Sequence, residues 1–283
     1  MKPLLDTLKA GTTFLEKHGV DEARLNMEHL LAHVLECRRL DLYLRFGEML
    51  DETTLAELRT LVRRRSDGEP LQHLLGTVEF MGLEFVSDHR ALIPRPETEC
   101  LTDLIVRRFG TQAPKSVLDL ATGSGCIGLS LASIWKDSGV SVTLSDISED
   151  ALDLTRLNAT RLGLSEHLRI VRSDLFEKLD GPFDLIVSNL PYIPSSEIPT
   201  LSREVRKDPV IALDGGPDGL DIVRRFLIDA PARLSPGSLI ALEVGDDQGP
   251  ATAALAEGSG FTPTEVLPDL QGVPRFVLAT LPG

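Results

Sequence analysis

The sequence contains few of the residues that would point to an oxidising environment or a metal centre. Among its 283 residues there are three cysteines, one tryptophan and two tyrosines. Cys37, Cys100 and Cys126 are an odd number of cysteines, with no CxxC pair and no metal-ligand spacing. We therefore expect neither a disulfide framework nor a metal site. Reduced thiols are typical of the cytoplasm, which is the predicted location.

Long apolar runs and basic residues are also scarce. No apolar run approaches the ~18 residues that a membrane-spanning helix needs, so we expect no membrane association. Asp6 and Lys9 interrupt the first apolar stretch, which argues against a signal peptide. There are 29 Lys and Arg residues against 43 Asp and Glu, a net charge of −14. Because this excess repels phosphate backbones, we expect no stable binding to nucleic acid.

The first quarter of the chain has the periodicity of helices. Apolar residues recur every three or four positions in residues 3–18, 21–36 and 51–66. Residues 1–75 are therefore predicted to form a small helical bundle. No coherent set of catalytic residue types is visible there, so the predicted role of this domain is substrate recognition.

The rest of the chain predicts a hairpin followed by an α/β domain. In residues 76–95, two short β-like runs, VEF and LEFV, flank a Met-Gly pair, which predicts a β-hairpin joining the two domains. In residues 96–283, strand-like runs alternate with helical stretches: SVLDL, VTLSD, LRIVRSD, FDLIVSN, SLIALEVG, FTPTEVL and PRFVLATL. This alternation predicts a mostly parallel, doubly wound sheet, in which ligands bind at the carboxyl ends of the strands.

A glycine loop follows the first strand of this domain. VLDLATGSGCIG places Gly123, Gly125 and Gly128 in GxGxxG spacing between a strand and a helix, and Asp146 ends the next strand. This is the spacing of a nucleotide-binding loop whose acidic partner accepts ribose hydroxyls. Asp119 lies inside the strand just before the loop, where a carboxylate suits a ligand with a cationic end better than a pyrophosphate. The pattern therefore favours S-adenosylmethionine over a nicotinamide cofactor.

Asp174 is a further acidic residue at the carboxyl end of a predicted strand, since it ends LRIVRSD. Its carboxylate offers an acceptor near the adenine of such a ligand. A capping role at the start of the loop explains it equally well.

The loop after FDLIV is unusually stiff for a strand exit. In SNLPYIP, Asn189 lies two residues before Pro191, and Tyr192 lies between Pro191 and Pro194; both proline rings restrict the backbone. An amide nitrogen is a poor nucleophile, because its lone pair is delocalised into the carbonyl. Methylating it requires orientation and acceptors for its two N–H groups, which the Asn189 oxygen and the following backbone carbonyl can supply. The Tyr192 ring can cover a planar substrate group.

Several stretches together resemble one known family. They are GEPLQHLLG (68–76), EFMGLEFVSDHRALIPRPETE (79–99), VLDLATGSGCIGLSLA (117–132), FDLIVSNLPYI (183–193), ALDGGPDGLD (212–221) and LEVGDDQ (242–248). The chain resembles the release-factor glutamine methyltransferases (HemK/PrmC type), which methylate the glutamine of the Gly-Gly-Gln loop in class 1 peptide chain release factors. LIPRPETE is specific to the family, whereas the glycine loop and NxPY occur across many methyltransferases.

This resemblance implies a Rossmann-like methyltransferase fold, S-adenosylmethionine as cofactor and class 1 release factors as partners. It implies that the methyl donor is contacted by Ala121, Thr122, Gly123, Ser124, Gly125 and Asp146, and that Asp174 or Leu175 lies beside its adenine. It implies that the target glutamine is held by Asn189, Leu190, Pro191 and Tyr192, and that Asn189 also lies near the donor. It gives a supporting role to Arg95, Pro96 and Glu97, although a surface turn would also explain the two charges.

The sequence departs from the family pattern at two positions. Ala121 stands where the family usually has glycine, which is tolerable if its φ is negative. Leu190 stands where the family usually has proline, and its backbone carbonyl survives the change. NLPY also occurs in ribosomal-RNA adenine dimethyltransferases, so an adenine amino-group methyltransferase remains the alternative. A non-catalytic binding factor and a nicotinamide-dependent oxidoreductase are weaker alternatives, given Asp146, Asn189 and the lack of a hydride-transfer site.

Overall fold

The computed structural model describes residues 1–283, and at residue 167 the backbone alone. The chain divides into two compact units. Unit 1 consists of Met1–Thr77 and Ser202–Lys207, and unit 2 consists of Val78–Leu201 and Asp208–Gly283. Unit 1 therefore contains a short segment from much later in the chain.

Unit 1 is a helical bundle with one small β-ladder. Its elements are β1 (Lys2–Pro3), α1 (Leu4–Lys17), α2 (Ala23–Val34), β2 (Met49–Leu50), α3 (Glu52–Ser66) and α4 (Leu71–Leu75). β1 pairs with β2 in antiparallel orientation. Helix α3 begins after Asp51, whose carboxylate accepts a hydrogen bond from the backbone N–H of Thr54. The predicted bundle is confirmed, although α2 begins at residue 23 because Glu22 has a left-handed φ of 48°.

A buried arginine ties the late segment of unit 1 to its helices. The Arg65 side chain is only 4% exposed and forms an ion pair with Glu204. Its Nε also donates to the Asn26 side-chain oxygen at 2.7 Å. A buried charge needs partners, and Arg65 has them within the bundle. Its role is therefore structural, and its guanidinium is not available to contact a binding partner.

Unit 2 contains the remaining helices and strands, except that Thr77, the first residue of β3, belongs to unit 1. They are β3 (Thr77–Phe80), β4 (Leu83–Val86), α5 (Pro96–Phe109), β5 (Ser116–Leu120), α6 (Cys126–Ile134), β6 (Ser141–Asp146), α7 (Glu149–Arg161), β7 (Leu168–Arg172), β8 (Phe183–Asn189), α8 (Asp221–Asp229), β9 (Leu234–Glu243), α9 (Gly249–Gly258), β10 (Thr264–Leu267) and β11 (Phe276–Thr280). β3 and β4 form a separate two-stranded sheet at the predicted hairpin.

The main sheet of unit 2 has the strand order β10-β11-β9-β8-β5-β6-β7. Strands β9, β8, β5, β6 and β7 are parallel, whereas β11 runs antiparallel to β9 and β10. The prediction of a mostly parallel, doubly wound sheet is confirmed. The order reverses at β5, which has β6 on one side and β8 on the other. Such a reversal opens a crevice at the carboxyl ends of the strands.

Both faces of this sheet are covered. Along β5, the fully buried neighbours Val117 and Leu118 belong to two different apolar clusters. Successive strand residues point to opposite faces, so a strand buried on both sides is apolar throughout rather than alternating. In the part of the chain described, no helix combines the length and the apolar character needed to cross a membrane.

Candidate active site

A cavity of about 590 Å³ lies at the carboxyl ends of the central strands. Its volume is in the range of small-molecule sites. The carboxyl ends of four strands contribute to its wall: Ala121, Thr122, Gly123 and Ser124 at β5, Asp146 and Ile147 at β6, Ser173, Asp174 and Leu175 at β7, and Asn189, Leu190 and Pro191 at β8. The structure therefore brings together most of the residues that the sequence predicted for the site.

Gly125 and Gly128 lie at the start of helix α6, and Gly128 lets this helix approach the sheet beneath the cavity. Gly125 has a φ of 84°, and a Cβ there would lie 2.8 Å from the Leu129 side chain. A Cβ on Gly128 would lie 2.8 Å from Leu144 and 2.9 Å from the Asp119 carboxylate. The packing of α6 on the sheet therefore requires glycine at position 128, whereas the left-handed backbone favours glycine at position 125.

Asp119 holds the glycine loop from below. It is fully buried, and its Oδ2 accepts hydrogen bonds from Thr122 Oγ1 at 2.5 Å and from the Gly128 N–H at 2.8 Å. Burial raises the pKa of this carboxyl to about 7. Asp119 is not among the described residues that line the cavity. Asp119 therefore stabilises the glycine loop, and the expected contact of its carboxylate with a cationic ligand stays a prediction.

Two non-glycine residues of the cavity wall have left-handed backbones. Ala121 has a φ of 57° and Leu175 a φ of 44°. The condition under which alanine would be tolerated without strain, a negative φ, is therefore not met at Ala121, and the conformation costs this alanine about 1–2 kcal/mol. Strained residues of this kind concentrate at ligand sites, where the surrounding structure holds them in place.

Asp146 is partly buried at the end of β6. Its Oδ2 accepts from the Gly123 N–H and its Oδ1 from the Ser148 N–H, both at 2.9 Å. Burial raises the pKa of the carboxyl above its usual value. An ionised carboxylate offers about four lone-pair sites, so Asp146 can still accept hydrogen bonds from ligand hydroxyls.

The basic groups of the cavity wall are already neutralised. Arginine is the only basic residue type among its described lining residues, and each arginine is paired with a carboxylate: Arg90 with Asp88, Arg95 with Asp208, and Arg225 with Asp174. The site therefore offers no unpaired cation to a pyrophosphate. Pro96 and Glu97 form the first turn of α5 beside Arg95, outside the described lining. No described cluster of His, Cys, Asp or Glu could hold a metal ion.

Asn189 belongs to a buried hydrogen-bonded cluster that the sequence did not predict. Its Nδ2 donates to Thr98 Oγ1 at 3.0 Å, and the Thr98 hydroxyl donates to Glu243 Oε2 at 2.7 Å. Glu243 is the cross-strand partner of Asn189, and burial raises the pKa of its carboxyl to about 7. The Tyr192 hydroxyl donates to Glu243 Oε1 at 3.4 Å. Tyr192 does not line the cavity as described, so the covering role of its ring stays a prediction.

The backbone of residues 189–192, the NLPY loop, is supported by residues that do not line the cavity as described. Gln248 Nε2 donates to the Tyr192 carbonyl at 2.8 Å. A Cβ on Gly219 would lie 2.2 Å from that same carbonyl oxygen, and a Cβ on Gly215 would lie 2.7 Å from the Pro191 oxygen. The stretches ALDGGPDGLD and LEVGDDQ therefore pack against the loop that carries Asn189.

The sheet order, the glycine loop and the cavity define a Rossmann-like methyltransferase. Two family models match: the PrmC N-terminal domain over residues 6–76 and the methyltransferase small domain over residues 95–204. The release factor glutamine methyltransferase of Deinococcus radiodurans is 40% identical over 280 residues, which cover 99% of this chain and 99% of that protein. That of Chlorobaculum tepidum is 38% identical, covering 96% of this chain and 95% of that protein. The chain belongs to the release factor glutamine methyltransferase family.

A solved structure supports the fold independently. The 16S rRNA N2 G1207 methyltransferase of T. thermophilus, in complex with AdoMet and guanosine, matches with a TM-score of 0.51 at 21% identity. The match covers 72% of this chain and 49% of that chain. At this identity the likeness concerns the fold alone, which is the predicted Rossmann-like methyltransferase fold.

Proposed function

We propose that this chain transfers a methyl group from S-adenosyl-L-methionine to the side-chain amide nitrogen of the glutamine in the Gly-Gly-Gln loop of class 1 peptide chain release factors. The observation that carries the proposal is the position of Asn189, which lines the cavity while its Nδ2 is held by Thr98. A planar amide with its nitrogen held in this way points its oxygen elsewhere, free to accept from a substrate N–H. Relatives that share nearly the whole chain carry the corresponding name.

The chemistry explains why an amide-holding site is needed. S-adenosylmethionine supplies an electrophilic methyl group; its C–S bond breaks as the N–C bond forms, and the nitrogen then loses one proton to solvent. A glutamine nitrogen becomes positive only as it reacts, because its lone pair is otherwise delocalised. The Asn189 oxygen and the Leu190 carbonyl accept its two N–H groups and stabilise that developing charge. They also hold the nitrogen in the orientation that attack requires.

The cavity wall fits this donor. The Asp146 carboxylate accepts the ribose hydroxyls, and the loop of residues 121–125 lies beside the rest of the ligand. Leu175 and Asp174 border the adenine, the first through apolar contact and the second as an acceptor. The pairing of the three cavity arginines with carboxylates favours this phosphate-free ligand over a dinucleotide.

Unit 1 recognises the release factor outside its Gly-Gly-Gln loop and contributes no catalytic group. Its most buried carboxylate, Glu28, is engaged by Arg24, Arg39 and Tyr43, which identifies this cluster as structural. Since release factors act in translation, the enzyme works in the cytoplasm.

One labelling experiment tests this function. Purified protein is incubated with methyl-labelled S-adenosylmethionine and with four acceptors in parallel: an intact release factor, the same factor with its Gly-Gly-Gln glutamine replaced, a short peptide containing the loop, and ribosomal RNA. We expect strong labelling of the intact factor alone. Labelling of the RNA, or of the factor without the glutamine, would contradict the proposal. Equal labelling of the peptide would contradict the recognition role of unit 1.

Donor binding gives a separate prediction at Asp146. Calorimetric titration is expected to show binding of S-adenosylmethionine and none of NAD. Asp146→Ala should weaken donor binding by roughly 1.5–3 kcal/mol, because hydrogen bonds to a charged group are lost. Asp153→Ala is the matched control, since Asp153 is an exposed carboxylate on α7 that pairs with Arg156. Tight NAD binding without S-adenosylmethionine binding would overturn the assignment of the donor.

A further inference from the structure

We infer that Thr98 and Glu243 are positioning residues which determine the face that the Asn189 amide presents to the substrate. This inference rests on the proposed function, because it concerns the asparagine that would accept from the target glutamine. Neither residue belongs to the NLPY loop: Thr98 lies on α5 and Glu243 ends β9. Both are buried, at 3% and 2% exposure, and only Thr98 is part of the described cavity wall.

The Thr98 hydroxyl has a single proton, and the direction of this proton determines which face the Asn189 amide presents. An ionised carboxylate only accepts hydrogen bonds, so the 2.7 Å contact with Glu243 Oε2 requires the hydroxyl to donate. The hydroxyl then has only lone pairs to offer to Asn189 at 3.0 Å. A donor must occupy that side of the amide, which is its NH₂ group. The Asn189 oxygen is thereby turned away from Thr98, where it serves as an acceptor.

Protonation of Glu243 removes this constraint. A neutral carboxyl can donate its own proton to Thr98, and the hydroxyl is then free to donate to the Asn189 oxygen. The Asn189 amide can then flip, and its NH₂ group, instead of its oxygen, would face the N–H groups of the target glutamine. Burial raises the pKa of Glu243 to about 7, so this change falls within an accessible pH range. The active arrangement is the one present above that pH.

The other charged and titratable groups around Glu243 come from four neighbouring elements. They are Glu97 on α5, Tyr192 after β8, Cys126 at the start of α6 and Arg275 just before β11. Glu97 raises the pKa of Glu243 and Arg275 lowers it, while burial dominates. Tyr192 has its own pKa raised by burial, so it remains a neutral hydroxyl donor throughout this range.

Substitutions at Thr98 test the hydroxyl directly. Thr98→Val keeps the shape and removes the hydrogen bond, and kcat for methylation of the release factor should fall about tenfold, the usual worth of one hydrogen bond. The affinity for S-adenosylmethionine should change less than twofold. Thr98→Ser restores a hydroxyl and should return kcat to within about twofold of the wild type. A fall of this size in Thr98→Val that serine does not rescue would point to packing and overturn the inference.

A matched control lies one helical turn away. Thr102 is also fully buried on α5, and its hydroxyl donates to the Thr98 backbone carbonyl. Thr102→Val makes the same change in the same helix without touching the hydroxyl that meets Asn189. Its kcat should stay within about twofold of the wild type. If Thr102→Val lowers kcat as much as Thr98→Val does, the effect belongs to the helix and the inference fails.

Substitution of Glu243 tests the pH dependence. Wild-type kcat should fall up to about tenfold between pH 8 and pH 6, as Glu243 takes up its proton. Glu243→Gln presents a carbonyl oxygen to the Thr98 hydroxyl at every pH. We expect roughly several-fold lower activity at pH 8, because a neutral acceptor is weaker, but a flat profile down to pH 6. Asp119 has a pKa of about 7 as well, and an acidic fall that persists in Glu243→Gln would overturn the role of Glu243.

Failure of the inference is distinguishable from failure of the proposed function. If the wild-type protein does not methylate the glutamine of the release factor, the function itself is wrong. If it does, and Thr98→Val and Glu243→Gln both keep the rate and the pH profile of the wild type, only the positioning role is wrong.

Discussion

Asn189→Ala is expected to lower kcat for glutamine methylation by ~10²–10³, the usual effect of losing one oriented acceptor of the transition state. Its affinity for S-adenosylmethionine should stay within a few-fold of the wild type. The difference arises because the Asn189 oxygen matters most when the glutamine nitrogen becomes positive, a charge that does not exist before reaction. The measurement is single-turnover methyl transfer to an intact release factor, with donor binding followed separately by calorimetry.

Two comparisons sharpen this experiment. Asn189→Asp keeps an acceptor but introduces a charge beside Glu243, with which it pairs across β8 and β9. It should therefore not restore the rate fully. A release factor whose Gly-Gly-Gln glutamine is replaced controls for methylation elsewhere. Normal turnover by Asn189→Ala, or equal methylation of the control factor, would show that the amide is not held in this way.

The fold could be predicted from sequence because its signals are local. Each strand of the parallel sheet is a short apolar run, and each crossover helix has its own period, as in VTLSD followed by the stretch that forms α7. Parallel strands place their carboxyl ends together, so the ends of β5, β6, β7 and β8 could be expected to meet at one cavity. The motif residues at these ends were predicted from this rule and from the family resemblance.

The hydrogen-bonded cluster that Thr98 and Glu243 form with Asn189 could not be predicted in the same way. Thr98 and Glu243 are 91 and 54 positions from Asn189, on a helix and on a different strand. No spacing rule connects residues that meet only through the tertiary fold. The available signals were indirect: Thr98 lies within LIPRPETE, and Glu243 is a carboxylate at the end of an otherwise apolar strand in LEVGDDQ.

The sequence also did not allow us to predict the directions in which individual side chains point. Alternation along β5 turns the Asp119 side chain towards α6, where it stabilises the glycine loop, a role that the sequence did not predict. Leu190 was expected to act through its backbone carbonyl alone. Its side chain is 1% exposed and packs in the apolar cluster on one face of the sheet. This position therefore contributes to stability as well as to the site.

Gly219→Ala is the second substitution for which we expect a large effect, although Gly219 does not line the cavity as described. A Cβ there would lie 2.2 Å from the Tyr192 carbonyl oxygen and 2.5 Å from Gln248 Nε2. The clash requires a movement of about 1 Å, and a misplacement of that size can cost about 10²-fold in rate. Because Tyr192 belongs to the NLPY loop, we expect kcat to fall by roughly that factor while donor affinity stays within a few-fold.

Gly163→Ala separates this clash from backbone strain. Gly219 and Gly163 both have left-handed backbones, with φ values of 77° and 70°, so alanine costs each position about 1–2 kcal/mol of stability. A Cβ at Gly163 would meet nothing within 4 Å. Thermal unfolding should therefore show a similar loss of stability from strain in both variants, with any further loss in Gly219→Ala attributable to the clash. Only Gly219→Ala should lose turnover, because only its new methyl group pushes on the loop that carries Asn189. Equal activity of the two variants would mean that the NLPY loop tolerates displacement, and that the close packing of ALDGGPDGLD against it does not position the Asn189 amide.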